Sequence, residues 1–496
     1  MTVVRRAFLF TWGERYVSLG INFVTVAILS RLLTPEEIGI SVLGVTVLAL
    51  AEIVRDVPSS YLVQHKDITR ADVRTAFTAM LLVSLVFAAG LVGGAETIAA
   101  SYGNANLALY LQVLALALLP GPLERPLMAL LKRDMAFDRV ALVNIITWSI
   151  NAAVTITLAW NGFSFMSFAI AAVAANIAAA IAAYAVRPEP WAYRPSLREW
   201  RHALRFGGYT TTWALLSRAS ELLTYAILGR LHHFDAVGLY NRALVVSQVP
   251  EKLLLSAVGP VAFPALAAEA RAGRSLKQPY LTALSLIAAV HWPALLLLAL
   301  LAHPVVTILL GAQWMSIVPL VRIMAAAALF SFAWFLTYPT LMAAGALRDL
   351  VLSSLIAVMF RAVVIAGASV YGLKALAVAL FVMIPFESYV GIHYIRKHVY
   401  FSWAEFAAAL RPSAVIALCS AIGPGTVIAL AGPEPSVGAA AIAVVLAAIG
   451  WVAGLRGTGH PLGGEIVLAL TAIRHSRVGR RVSEAGLRLI RRPRTV

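Results

Sequence analysis

Ala27–Ile40 reads AILSRLLTPEEIGI, and Ala226–Leu239 reads AILGRLHHFDAVGL. The second stretch begins 199 positions after the first. No gap is needed to set Arg31 against Arg230, Gly39 against Gly238 and, further along the same register, Glu52 against Glu251. Each copy is an apolar run ending in an arginine, then a short polar turn, then the start of a second apolar run. In the first copy Thr34, Pro35 and Glu37 have the spacing of a helix N-cap, a first-turn proline and the acid of a capping box, so a new helix starts there. A repeat of this length predicts two halves built alike.

Composition says what solvent those halves fold in. The chain has 496 residues, 61% of them hydrophobic and only 13% charged. Soluble domains carry about 25% charged residues, and no interior in water could hide this much apolar surface, so lipid surrounds the chain. The formal net charge of +17 does not indicate a nucleic-acid partner, because the cations fall in short loops and a tail rather than on one soluble face. Cys419 is the single cysteine and can form no intrachain disulfide. MTVVRRAFLF begins as a signal peptide does, but Glu14 and Arg15 interrupt the apolar run and no small-residue cleavage site follows. It reads as a retained first helix.

Runs long enough to span a bilayer, about 20 apolar residues, fall near 10–31, 39–63, 76–100, 107–131, 140–160, 163–185, 207–231, 238–264, 281–310, 315–342, 350–370, 374–395, 404–430 and 436–455. The expectation is an all-α polytopic membrane protein of about fourteen spans. The 281–310 run contains His291, Pro293, His303 and Pro304, which predicts an irregular outer end. Arginines and lysines crowd the loops on one side: Arg5 and Arg6, Lys66 to Arg74, Lys132 to Arg139, Arg187 to Arg205, Arg271 to Lys277, Arg348, Arg396 and Lys397, and the tail from Arg456. By the positive-inside rule these are cytoplasmic, as are both termini. Only Arg31, Arg230 and Lys374 lie on the other side.

The first and seventh spans are an even number of crossings apart, so the copies insert in the same direction. That predicts two six-helix lobes, 1–200 and 201–400, related by an axis along the membrane normal, with two further helices and a basic tail in 401–496. Parallel repeats of this kind occur among secondary transporters. The tail reads either as a weakly amphipathic segment lying on anionic lipid or as a solvated one.

Charges deep in the spans mark the candidate site. Glu14, Arg15, Glu52, Arg55, Asp56, Glu124, Arg125, Arg218, Glu221, Glu251, Lys252, Arg322, Arg361 and Glu387 all fall inside apolar runs. Each costs about 2.5–3.5 kcal/mol at a helix centre, which requires that they face one another or a hydrated cavity. Arg218 and Glu221, three apart on one helix face, suit an ion pair. Arg218 and Arg361 sit near mid-membrane and are the first candidates for contacting an anionic cargo, followed by Arg15, Arg55, Lys252 and Arg322. Glu14, Glu52, Glu221, Glu251 and Glu387 are candidate cavity acids or ion-coupling groups, and Arg31 with Arg230 is a matched pair at the outer rim. The proline-rich LLPGPLERPL (Leu118–Leu127) and Pro250, Pro260 and Pro264 interrupt their helices, as cavity-lining backbone does. His291 and His303 read as hydrogen-bonded wall residues. No phosphate loop, zinc spacing or catalytic triad appears, so no cofactor, metal or enzymatic activity is expected.

Six segments carry a family resemblance: RLLTPEEIGISVLGV (Arg31–Val45), LERPLMALLKRDMAFDRVA (Leu123–Ala141), VGLYNRALVV (Val237–Val246), VGPVAFPALAAE (Val258–Glu269), LLGAQWMSIVPLVRIMA (Leu309–Ala325) and LMAAGALRD (Leu341–Asp349). Together, in order, they resemble Wzx-type oligosaccharide flippases. These form the polysaccharide transporter branch of the multidrug/oligosaccharidyl-lipid/polysaccharide superfamily, and the likeness is to its colanic-acid and succinoglycan exporters. The resemblance implies two six-helix lobes around a cationic cavity. It implies alternating-access flipping of undecaprenyl-diphosphate-linked oligosaccharide across the bacterial plasma membrane, for exopolysaccharide, capsule or O-antigen assembly. The partners it implies are that lipid-linked cargo, membrane lipids, a coupling proton or sodium ion, and polysaccharide polymerase or assembly proteins. Arginine suits this cargo, since its paired donors match diphosphate oxygens.

Three other functions stand against this. A drug or cation antiporter of the same superfamily predicts an acid-dominated cavity, whereas arginines and lysines here at least match the acids. A peptidoglycan-precursor flippase differs only in cargo. A membrane glycosyltransferase or polymerase would use an external acidic pair such as Glu36 and Glu37 to hold a metal. The second copy has Asp235 and Ala236 there, and every outer loop is short, so capping is the better account of that pair.

Overall fold

The computed structural model describes residues 3–65, 67–198, 208–464 and 466. The tail beyond 466 and the loop cations Lys66, Arg201 and Arg205 lie outside these. Among the described residues the chain is helical, without strands. Nine helices are long and apolar enough to cross a membrane, or eleven when each of two bent pairs counts as one span. Val3–Leu32 and Gly208–Ser247 with its continuation Val249–Arg271 are further helices of that length, compatible with fourteen spans.

In chain order, α1 is Val3–Leu32, α2 Pro35–Arg55, α3 Val57–Gln64 and α4 Arg70–Tyr102. The capping box is present: Thr34 N–H donates to Glu37 Oε2 at 2.7 Å and the Glu37 N–H donates back to Thr34 Oγ1 at 3.3 Å. The apolar run near 39–63 is two helices, broken at Asp56, where Pro58 in the first turn of α3 cannot donate into the ladder of α2. The fourth span bends by 43° between α5 (Asn106–Leu116) and α6 (Gly121–Arg133), at the LLPGP stretch. Then come α7 (Phe137–Trp160), α8 (Met166–Val186) and α9 (Gly208–Ser247). Helix α9 is two arms joined at His233, whose φ of 64° and ψ of 177° are non-helical. The eighth span therefore starts at once after His233, rather than near 238. It continues into α10 (Val249–Arg271), followed by α11 (Lys277–Leu300) and α12 (Ala302–Leu309), broken at Leu301. The tenth span, α13 (Val318–Ala328) and α14 (Thr337–Ala343), bends by 58° at Leu329–Phe330, and a 3₁₀ turn at Ser331–Leu336 opens its second arm. The last four helices are α15 (Leu347–Ser369), α16 (Leu373–Arg396), α17 (Trp403–Ala431) and α18 (Val437–Thr458).

The break at His233 lies at the repeat distance from Thr34, and the repeat is visible in contact. A Cβ placed on Gly39 would sit 1.9 Å from the Phe234 carbonyl oxygen, and one on Gly238 would sit 1.9 Å from that of Pro35. Since Phe234 stands to Gly238 as Pro35 stands to Gly39, each copy offers the other the same surface, the mark of a two-fold axis. Glu52 and Asp56, far along α2 and its end, share one cavity with Thr211, Ala214 and Arg218 of the first arm of α9. Both hairpins thus extend the same way from the Thr34–His233 turn, and the halves are parallel, as expected.

Apolar packing differs between the two ends of the bundle. Around the Thr34–His233 turn one cluster joins both halves: Leu33, Ile38 and Tyr110 with Phe234, Val237, Leu310 and Trp314. At the far end each half keeps its own: Tyr61, Leu62, Met80, Leu127 and Val143 in one, Leu254, Tyr280, Leu284, Leu336 and Phe401 in the other. Among the described residues, apolar packing joins the halves at one end and stays within each half at the other. Helices α17 and α18 dock on α11 through Trp451 Nε1 donating to the Ala289 carbonyl at 2.8 Å and a buried Ser285–Ser413–His460 cluster.

Candidate functional cavity

A cavity of about 490 Å³ lies in the C-terminal half. One stripe of α9, Ser217, Arg218, Glu221, Thr224 and Tyr225, faces it, the spacing that puts side chains on one helix face. Past the His233 break come Tyr240, Ser247 and Gln248, then Glu251 and Lys252 of α10. Arg361 of α15 and Glu387 with Ser388 of α16 form the opposite wall. The 3₁₀ turn in the tenth span adds Trp334 and Phe335. Arg218 also borders a second cavity of about 360 Å³, lined by Glu52, Asp56 and Ser60 of the N-terminal half. It is the described side chain through which the two chambers meet.

The two leading arginines are held differently. Arg361 makes a two-pronged pair with Glu387, Nε to Oε1 at 2.7 Å and Nη2 to Oε2 at 2.5 Å. Glu387 is 5% exposed, so this pair is dry on its acidic side, where charge-assisted forks are strongest. Arg218 Nη1 reaches Glu221 Oε2 at 2.7 Å, with 51% and 35% of the two side chains exposed. Such a surface pair is worth about 0.2–1 kcal/mol and exchanges partners readily. Lys252 is exposed in the same cavity beside Glu251.

The remaining predicted residues go elsewhere. Arg55 is 1% exposed and turned into the N-terminal half, with Nε 3.0 Å from Asp56 and Nη2 3.5 Å from Glu52. Arg125 bridges Asp56 and Glu124, each at 3.4 Å. Gly121, at the bend of the fourth span, leaves room for the Arg55 guanidinium, since a Cβ there would lie 2.2 Å from Arg55 Nη1. Arg55 is therefore part of a network locking two broken helices, not of the cavity wall. Glu14 accepts from Asn144 Nδ2 at 3.1 Å, outside both cavities. Arg15 is exposed on α1 and borders neither. Arg322 Nη2 donates to the Pro433 carbonyl at 2.7 Å, tying α13 to the α17–α18 turn. Arg31 and Arg230 sit at the fused end, where Arg31 Nη2 donates to the Ile308 carbonyl at 2.8 Å and Arg230 Nη1 to that of Ser101.

The charge balance also departs from expectation. The two cavities together present Arg218, Lys252 and Arg361 against Glu52, Asp56, Glu221, Glu251 and Glu387. Among the described lining residues carboxylates outnumber cations, so charge sign alone does not separate an anion carrier from a cation carrier. Sequence reasoning missed the cavity aromatics Tyr225, Tyr240, Trp334 and Phe335. Tyr225 was within reach, one turn on from Glu221 along the Arg218 face. It also missed Arg242, which is 5% exposed and whose Nε has no hydrogen-bond partner among the described residues.

Comparison with known proteins bears on this site. Residues 28–319 match the family described as polysaccharide biosynthesis protein. The chain is 24% identical over 314 residues to the lipopolysaccharide biosynthesis protein WzxC of Escherichia coli (strain K12), covering 62% of this chain and 63% of that one. It is 26% identical over 315 residues to the succinoglycan biosynthesis transport protein ExoT of Rhizobium meliloti (strain 1021), covering 62% and 63%. To the teichuronic acid biosynthesis protein TuaB of Bacillus subtilis (strain 168) it is 22% identical over 322 residues, covering 63% and 67%. The chain thus spans a little under two thirds of the length of the first of these relatives. Among solved structures, the inward closed form of the lipid II flippase MurJ superposes with a TM-score of 0.71 at 12% identity, over 90% of this chain and 97% of that one. The inward-facing form of a multidrug resistance MATE family transporter of the MOP superfamily superposes with a TM-score of 0.63 at 14% identity, over 80% and 99%. At these identities the likeness establishes the fold alone, with which fourteen spans are compatible.

Proposed function

The chain belongs to the polysaccharide biosynthesis protein family, and on that premise we propose that it flips a polyprenyl-diphosphate-linked oligosaccharide across the bacterial plasma membrane for polysaccharide assembly. The multi-pass protein works by alternating access, with residues 1–200 and 201–400 as the moving lobes and 401–496 as an accessory helix pair and tail. Both termini face the cytoplasm, and the fused Thr34–His233 end faces outward. The protein takes its cargo from the cytoplasmic leaflet, where such cargo is made. It has no catalytic role in this reading.

One observation carries the proposal: a bundle whose described apolar core joins both halves at one end only, with Arg361 in the cavity of the C-terminal half and Arg218 linking that cavity to the chamber lined by both halves. Arg218, loosely paired, makes first contact with the diphosphate. Arg361 then trades Glu387 for phosphate oxygens, which match its fork equally well, and this exchange of partners couples binding to lobe movement. Tyr225, Tyr240, Trp334 and Phe335 provide faces for sugar rings, and the polyprenyl tail stays in lipid. The excess of carboxylates favours a second reading, a carrier of organic cations, or a coupling role for Glu52, Glu221 and Glu251 toward a proton or sodium ion. Binding separates these. A short-chain polyprenyl-diphosphate oligosaccharide should raise the Tm of the purified protein, and an organic cation should not. Stabilisation by the cation alone would replace the flippase reading with the carrier.

A further inference from the structure

The two arginines of the repeat do something at the fused end that the cargo reading leaves unused. Arg31 closes the first helix of the N-terminal half, yet its guanidinium crosses to the carbonyl of Ile308, in the last turn of α12 in the other half. Arg230 closes the first helix of the C-terminal half and crosses back to Ser101, in the last turn of α4. Each arginine thus caps the end of the opposite half's third span, whose last carbonyls lack helical partners and carry partial negative charge. The crossing is reinforced by Trp314 Nε1 on the Ser30 carbonyl at 2.6 Å and Tyr102 Oη on that of Ala226 at 3.3 Å. Between them, Gly39 and Gly238 let the two backbones meet without a side chain.

We propose that Arg31 and Arg230, with the Gly39–Gly238 crossing between them, form a two-fold latch that holds the lobes shut at this end, and that the latch must release for cargo to leave there. Each arginine is exposed and bonded to a neutral carbonyl, not a buried carboxylate. Water can replace that acceptor on opening, so the bonds bias the closed state without trapping the protein in it. A hydrogen bond to a charged group is worth enough to shift such an equilibrium about tenfold. The inference rests on alternating access, but not on the identity of the cargo.

The test is a distance measurement. In a Cys419→Ser background, spin labels at Ala105 and Tyr371 report the latch end, and labels at Asp67 and Ala272 report the far end, in protein reconstituted into bilayers. Arg31→Gln with Arg230→Gln should raise the open-to-closed ratio at the latch end about a hundredfold, about tenfold per arginine, and shorten the far-end distance together with it. Gly39→Leu should open the same end by wedging the crossing. Arg31→Lys with Arg230→Lys should restore most of the wild-type distribution, because each arginine spends a single donor on its carbonyl. Unchanged distances at both ends in the glutamine variant, or lysine variants as open as the glutamine ones, would overturn the latch. No cargo is present, so a shift without flipping activity would remove only the cargo assignment, and flipping without a shift would remove only the latch.

Discussion

Replacing Arg361 with alanine is expected to abolish export, but by itself the result would be ambiguous, and the structure says why. Glu387 is 5% exposed and both its oxygens are committed to the Arg361 fork. Removing one partner of a buried ion pair strands the other and costs about 3–5 kcal/mol. Here 37% of the Arg361 side chain is exposed, and water can reach the vacated site, so the lower end, about 3 kcal/mol, is expected. A loss of that size lowers abundance as well as activity. The pair Arg361→Leu with Glu387→Leu resolves this, because replacing a whole buried ion pair by packed apolar groups is close to neutral for stability. The double variant should therefore regain a Tm near wild type in detergent while still failing to export polysaccharide. Arg361→Lys should fold and export weakly, keeping charge but losing the fork. Wild-type export by the stable double leucine variant would refute the assignment, leaving Arg361 a structural residue and placing anion recognition elsewhere in the chamber.

Further outcomes follow from other parts of the fold. Cysteines at Asn161 and Ala312, both exposed, should react with impermeant thiol reagents in intact spheroplasts, and labelling only after lysis would invert the topology. Gly121→Ala should lower stability by about 1–3 kcal/mol, the usual cost of overpacking, since its Cβ would meet Arg55 Nη1 at 2.2 Å; an unchanged Tm would show that Arg55 can move aside freely.

Much of this architecture was legible because it depends on local or periodic signals. The capping box at Thr34, the Arg218–Glu221 pair and the parallel halves all follow from spacing along one helix or along the repeat. The failures share one cause: they depend on which neighbour a helix face meets. Depth placed Arg55 and Arg322 in the membrane, but not the direction of their side chains, and both turned to partners on other helices. The Arg361–Glu387 fork joins residues on separate helices, α15 and α16, so no periodicity exposes it. Arg31 and Arg230 were visible as a matched pair, yet their acceptors are backbone carbonyls, which leave no trace in residue type. The bend in the tenth span, which delivers Trp334 and Phe335 to the cavity, carries no strong breaker beyond Pro339 in its second arm.

The most direct test of the central claim is flipping itself. Purified protein would be reconstituted into liposomes bearing a fluorescent polyprenyl-diphosphate oligosaccharide in both leaflets, and an impermeant reagent that destroys the exposed label would then be added. The account predicts that label in the inner leaflet is lost as well, at a rate that rises with protein per vesicle and vanishes in the double leucine variant at Arg361 and Glu387. Survival of the inner-leaflet label at the level of protein-free vesicles would contradict it.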